Sequence, residues 1–368
     1  MSDRLKDARD YNRIKVRLKL VDLFLIVIYL AFFQAFLSAP LKNASFALTP
    51  NFYLAFSFYL IIFSFLYYAF NLPLHFYSSF MLEHKFNLSR QNLFNWLMDE
   101  IKGGVLSLIL FLVFVHALYF LMKRFDMTWW AWMALFWFLV TIIIAKVTPV
   151  LVIPLFFKYS PVTEGLRSRI MALAAKCGMK IINVYKIDFS KKTRKLNAAV
   201  VGLGNTRRVI LADNLINEFT SEEVEGVLAH EFGHHELRHI QKTIVFGIIT
   251  TFLSFYILYV ASSQVASFFG VEGVSDITIF PSFMLILFVM SFLILPAQNG
   301  FSRALERSAD LFALRTTGDK ETFISLMRKL ADKNLADPDP PKIIKFLFYS
   351  HPPISERIDM ARKFNGNT

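Results

Sequence analysis

The chain has 368 residues, 55% of them hydrophobic and 16% aromatic, with 41 Phe and a mean hydropathy of +0.46. That apolar mass excludes an ordinary soluble domain and calls for segments that cross about 30 Å of hydrocarbon. The net charge of +12 sits between the apolar runs, which reads as topogenic charge and not as a nucleic-acid surface, while a single cysteine, Cys177, excludes an intrachain disulfide framework.

Residues 1–19 form a basic arm carrying Arg4, Lys6, Arg9, Arg13, Lys15, Arg17 and Lys19. It is too long and charged for a signal-peptide leader, and it places the N-terminus in the cytoplasm. Four apolar segments follow within 20–153: Leu20–Ala39, Phe52–Pro73, Val105–Met122 and Trp129–Ile153. Two more, Thr243–Phe269 and Ile279–Pro296, lie within 243–298. Six spans put the loops near Lys42, Lys123–Asp126 and Glu272–Asp276 outside. The basic stretches His75–Gly104, Phe156–Lys242 and Asn299–Thr368 then lie inside, with both termini.

Residues 154–242 read as the first part of a soluble domain. Leu166–Cys177 has helical spacing, and Ile181–Ile187, Leu196–Val201 and Arg207–Leu211 read as short strands with a Gly202–Asn205 turn between the last two. Thr220/Ser221 followed by Glu223 and Glu225 opens a helix. Residues 299–368 form the second part, in which Asp337–Pro341 is a loop.

The helix opened at Thr220 carries His230-Glu231-Phe232-Gly233-His234, an H-E-x-x-H motif. Residues four apart share a helix face, so both imidazoles can converge on one tetrahedral zinc at about 2.0–2.1 Å. Glu231 lies beside them, where a carboxylate can take a proton from a water acidified by the metal. His235 and His239 fall off that face and are expected to be solvated or at the core edge. A second helix, Ser302–Asp310, offers Glu306 as third ligand, with Asp310 one turn on to hydrogen-bond a ligand histidine from behind. An ordinary charged face with Arg303 and Arg307 would explain the charges of that helix but not its alanine content directly after a membrane span. One zinc per chain is expected.

These residues resemble the type I CAAX prenyl endopeptidases, integral-membrane zinc peptidases of the gluzincin kind. The resemblance runs through Glu83–Leu88, Asp99–Lys102, Ile153–Pro161, Asn197–Gly202, His230–His234, Ser302–Asp310 and His351-Pro352-Pro353 with Arg357. It implies a mainly α integral membrane protein of about six transmembrane helices with a cytoplasmic peptidase domain containing a small β-sheet. It also implies that Asn197, Ala198 and Val200 belong to a substrate-binding edge strand, and that His351 and Arg357 act near the scissile carbonyl. The expected substrate is a peptide or protein, lipidated or membrane-inserted, presented at the lipid bilayer and paired to the strand as an added antiparallel strand. Eukaryotic members have seven spans; six, as if the first were absent, suggest a member from a prokaryotic cytoplasmic membrane. Two alternatives stand beside this. One is a heat-shock membrane-protein quality-control metallopeptidase, which shares the gluzincin motifs. The other is a non-catalytic transporter or receptor, for which Lys146 inside the fourth segment is the best feature. His116 reads as a packed or hydrogen-bonded residue.

Overall fold

The computed structural model describes residues 2–202 and 207–365. Six helices are long and apolar enough to cross a membrane: Arg4–Leu48, Phe52–Lys85, Leu93–Arg124, Trp129–Phe156, His239–Phe268 and Ile277–Thr317. They match the six expected segments one for one and extend beyond them. The basic arm is no separate element but the first turns of the helix Ser2–Phe32, which continues into the first span. Pro73 and Pro296, where two apolar segments were expected to end, lie inside helices that run on to Phe76 and Thr317. Inside a membrane bundle a proline-freed carbonyl is accommodated by neighbouring helices and local adjustment, so the helix survives.

The spans turn large apolar side chains outward, among them Leu139, Ile143 and Val150 of the fourth, as lipid-facing helices do. Inward, Phe33, Phe56, Tyr59, Phe63, Tyr119 and Phe280 pack into an aromatic core. At one end of the bundle the Lys42 Nζ lies 2.6 Å from Asp276 Oδ2, joining the two stretches expected on one side. At the other end the basic stretches meet. Tyr11 and Lys195 both bond Glu83, at 2.5 and 2.7 Å, and Lys192 bonds Asp99 at 2.5 Å. The loops therefore sort into the two groups that the charge pattern separates.

The soluble part is built on a four-stranded sheet. Strands β1 (Tyr159–Pro161), β2 (Asn183–Ile187), β3 (Ala198–Val201) and β4 (Arg208–Ala212) are ordered β1-β2-β4-β3. β2 and β4 are parallel, with Asn183 opposite Arg208; the outer pairs are antiparallel, with Ala198 opposite Leu211 and Tyr159 opposite Ile187. β1 was not expected, because three residues ending in proline carry no alternation to read; Pro161 is tolerated at an edge. The expected Gly202–Asn205 turn lies, beyond Gly202, outside the described residues. Helix Glu164–Lys176 contributes Ile170 and Leu173 to a core shared with Val209 and Leu211 of β4. Leu228 and Phe232 of the H-E-x-x-H helix and Leu314 of the sixth span's extension complete it, so one apolar core fixes the motif helix against both sheet and membrane helix. Cys177 is buried in this core.

Candidate metal centre and active site

The motif helix, Ser221–Glu236, begins with a reciprocal cap. Thr220 Oγ1 accepts from the Glu223 N–H at 3.2 Å, and Glu223 Oε2 accepts from the Thr220 N–H at 3.0 Å. Glu223 is buried and also receives Lys329 Nζ at 2.7 Å and the Ser325 hydroxyl at 2.9 Å. Burial alone would raise its carboxyl, but Lys329, the Thr220 N–H and Ser325 outweigh it and hold the group below the usual carboxylate range. The cap sets the helix register, and with it where the histidines point. Gly233, inside the motif, allows the third-ligand helix to come close: a β-carbon there would sit 3.1 Å from Phe312.

His230, His234 and Glu306 each direct one ligand atom into a single cluster, all within 4.8 Å of one another. His230 Nε2 and His234 Nε2 are 3.2 Å apart. Glu306 Oε2 is 3.2 Å from His230 Nε2, and Oε1 is 3.3 Å from His234 Nε2. Each separation is close to a tetrahedral edge, about 3.3 Å for ligands about 2.0–2.1 Å from a central ion, with the two Glu306 distances made by its two different oxygens. Glu306 Oε2 is buried with no well-aligned donor even though His351 Nδ1 lies 2.8 Å away. An orphaned acceptor ringed by imidazole nitrogens fits a cation. The electrostatics agree: burial would lower His230, yet Asp310 and Glu306 raise it to about 9, so the surroundings favour positive charge at that ring.

Behind the cluster, Asp310 is fully buried. Its Oδ1 accepts from His230 Nδ1 at 2.8 Å and Arg357 Nη2 at 2.5 Å, and its Oδ2 from Arg357 Nε at 2.8 Å. Arg357, expected at the scissile carbonyl, thus spends two donors on Asp310. Glu231 is half-buried, and burial pushes its carboxyl up, against the pull of His230 and His234. His351 is exposed and reaches Glu306. Asn197 is also exposed; its carbonyl accepts from the Ala212 N–H at 3.0 Å at the base of β3, where Ala198 and Val200 turn half-buried side chains to the core. β3 is an edge strand, paired to β4 on one side only among the described residues.

His239 and Arg303 depart from the sequence expectation, while His235 and His116 follow it. His235 is at the core edge as expected, beside the Val200 backbone, where burial and Arg207 push it down to about 4. His239 is neither solvated nor peripheral: it is buried, with Nδ1 3.0 Å from His234 Nδ1. The positive-φ residue Arg238 (φ 56°, ψ 35°) breaks the helix and re-aims the chain, which no periodicity signals. Arg303 is no surface charge. It is buried and donates to the carbonyls of Lys345 at 3.0 Å and Tyr349 at 2.6 Å, while Asn299 holds Leu347 at 2.6 Å; together they pin the segment leading to His351. His116 is hydrogen-bonded to Ser57 and the Leu112 carbonyl, as expected of a packed residue.

Residues 161–365 match Peptidase family M48, and residues 2–158 match the family described as CAAX prenyl protease N-terminal, five membrane helices. The chain belongs to peptidase family M48. Four of its six candidate spans fall within the N-terminal match. It is 30% identical over 76% of its length to an uncharacterized metalloprotease, YhfN, of Bacillus subtilis, covering 66% of that protein. To the CAAX prenyl protease 1 of Saccharomyces cerevisiae it is 31% identical over 78% of its length, covering 68% of the yeast protein. The alignments thus span about two thirds of the length of these relatives. Its fold superposes on the crystal structure of S. mikatae Ste24p with a TM-score of 0.86 at 25% identity, over 98% of this chain and 89% of that one. The chain is an integral-membrane metallopeptidase of the CAAX prenyl protease 1 type. These comparisons favour neither the quality-control reading nor the transporter reading.

Proposed function

We propose that the chain is a zinc endopeptidase that cleaves peptides presented at the membrane surface, with His230, His234 and Glu306 as zinc ligands. The observation that carries this reading is the convergence of those three side chains from two helices within 4.8 Å. A bound zinc supplies Lewis acidity and an acidified water. The remaining work belongs to the chain. Glu231 takes the proton of the attacking water and returns it to the departing amine. Asp310, held by Arg357, fixes His230 as an Nδ1–H tautomer. His351 donates to the oxyanion of the tetrahedral intermediate. The free edge of β3 takes the substrate as an antiparallel strand, with Asn197 at its start.

The basic ends of the bundle support placing both termini and the peptidase domain in the cytoplasm, with the membrane regions at 20–153 and 243–298 and the domain halves at 154–242 and 299–368. Relatives named CAAX prenyl protease support a lipidated peptide as substrate. The test is cleavage of matched prenylated and unprenylated peptides by purified enzyme, with and without a chelator. Chelator-sensitive cleavage, restored by zinc and faster on the prenylated peptide, is expected. Cleavage indifferent to chelator overturns the metal, and equal rates on both peptides overturn the lipid preference.

A further inference from the structure

We propose that His239 is a positioning residue for the metal centre, fixing the tautomer and ring orientation of His234 and tying that ligand to the helix that carries Glu306. The inference rests on the metal reading above. Its basis is a continuous chain of contacts. His239 Nδ1 lies 3.0 Å from His234 Nδ1, His239 Nε2 lies 3.0 Å from Ser308 Oγ, and Ser308 Oγ lies 2.8 Å from the Leu305 carbonyl.

Proton positions along this chain follow by elimination. His234 turns Nε2 toward His230 Nε2 and Glu306 Oε1. A ligating nitrogen carries no proton, so the neutral ring keeps its proton on Nδ1. His239 Nδ1 must accept that proton's hydrogen bond, because two ring nitrogens 3.0 Å apart need one donor and one acceptor. The proton of His239 then sits on Nε2 and is donated to Ser308 Oγ. The Ser308 hydroxyl in turn donates to the carbonyl of Leu305, the residue before Glu306. Each group has one role and none is left over.

The chain crosses three helices: the motif helix at His234, the fifth span at its first residue, and the sixth span's extension at Ser308. His239 is only 2% exposed, so bulk water does not substitute for it. The two histidine ligands are thus backed differently. His230 leans on the Asp310 carboxylate, whereas His234 leans on a second imidazole, which orients it without placing another charge in the buried site.

The test is zinc competition against a chromophoric chelator, together with the visible spectrum of the cobalt-substituted protein, on the full-length enzyme in detergent. His239→Leu removes the acceptor, and a roughly 10–100-fold loss of zinc affinity is expected with a changed cobalt spectrum. His239→Asn, whose Oδ1 can replace Nδ1, is expected to recover most of that loss. In the proposed chain Ser308→Ala reaches His234 through His239, so the double variant His239→Leu/Ser308→Ala should bind zinc no worse than His239→Leu. Wild-type affinity in His239→Leu, while His230→Ala loses zinc, overturns the proposal and leaves the metal reading standing. Equal losses in His239→Leu and His239→Asn overturn the acceptor role. If His239→Leu does not fold, His239→Asn and Ser308→Ala decide, and wild-type spectrum and affinity in Ser308→Ala break the chain. Zinc retained by both His230→Ala and Glu306→Ala overturns the metal reading instead.

Discussion

His230→Ala and Glu231→Gln, one residue apart, are expected to fail in different ways. The first removes a ligand and should lose both metal and activity. The second should keep its metal and lose about 10²–10⁴-fold in turnover, the usual worth of a general base. Asp310→Ala should lie between them, with metal affinity down roughly 10–100-fold, because it strands Arg357 and frees the His230 ring. Metal analysis and peptide turnover on the three variants check the ordering, and a Glu231→Gln enzyme within threefold of wild type contradicts it. Of these side chains, His230 with His234 and Glu306 with Asp310 were legible because each pair repeats at helical spacing along one helix, and Glu231 because it stands inside the first pair. His239 and Arg303 were not. One acts across a helix break at Arg238, the other on a segment more than forty residues further along the chain.

At the scale of elements, the motif helix hangs on its first turn. Glu223→Gln should destabilise the fold by roughly 1–3 kcal/mol, since a buried cap, Lys329 and Ser325 all lose their acceptor charge. Glu223 is held below its ordinary value in the folded chain, so its contribution is present above the normal carboxylate range. That contribution is lost as pH falls through the depressed value. Thermal melts against pH should therefore converge for wild type and variant in acid and diverge at neutrality; parallel curves refute the assignment. The cap itself was readable, because Thr220 and Glu223 stand at the spacing a capping box requires. Strand β3 gives a second prediction. His351→Ala should lower kcat and kcat/KM together by about 2.7–4 kcal/mol of barrier, whereas Asn197→Ala should act at least partly through KM. Equal losses in kcat alone for both count against strand addition at β3. β3 was readable as a strand from the run Leu196–Val201 ahead of Gly202, and its edge position was implied by the resemblance; the far edge of the sheet was not, because β1 has no sequence signature.

For the whole molecule, the count of spans and their grouping came from hydropathy and basic residues, whose effect is local and additive along the chain. What sequence left open was how the basic arm meets the peptidase domain. That junction is a set of long-range pairs: Tyr11 and Lys195 on Glu83, Lys192 on Asp99, and Asn12 on the Leu335 carbonyl at 2.6 Å. Topology is testable directly. In a Cys177→Ser background, a cysteine introduced beside Glu272 should react only with reagent added from the non-cytoplasmic side, and one beside Lys158 only from the cytoplasm. Labelling of the Glu272 site from the cytoplasm alone reverses the arrangement.

The left-handed residue Arg238 has a mechanical consequence. Only Leu237 and Arg238 separate the motif helix from the fifth span, a 30-residue helix about 45 Å long in a hydrocarbon layer about 30 Å thick. A span longer than the layer accommodates by tilting, kinking or thickening the bilayer around it, to an extent that depends on how thick the bilayer is. A change in tilt would turn His239 at its first residue, and because His239 touches His234, bilayer thickness would act as a torque on one side chain of the proposed metal centre. Reconstituted into phosphatidylcholines from short to long acyl chains, the enzyme should pass through an optimum in turnover. Inserting two glycines after Arg238 should flatten that dependence while the folded fraction stays constant. Turnover that is level across the series in the unaltered enzyme means the joint absorbs the tilt before it reaches the histidines.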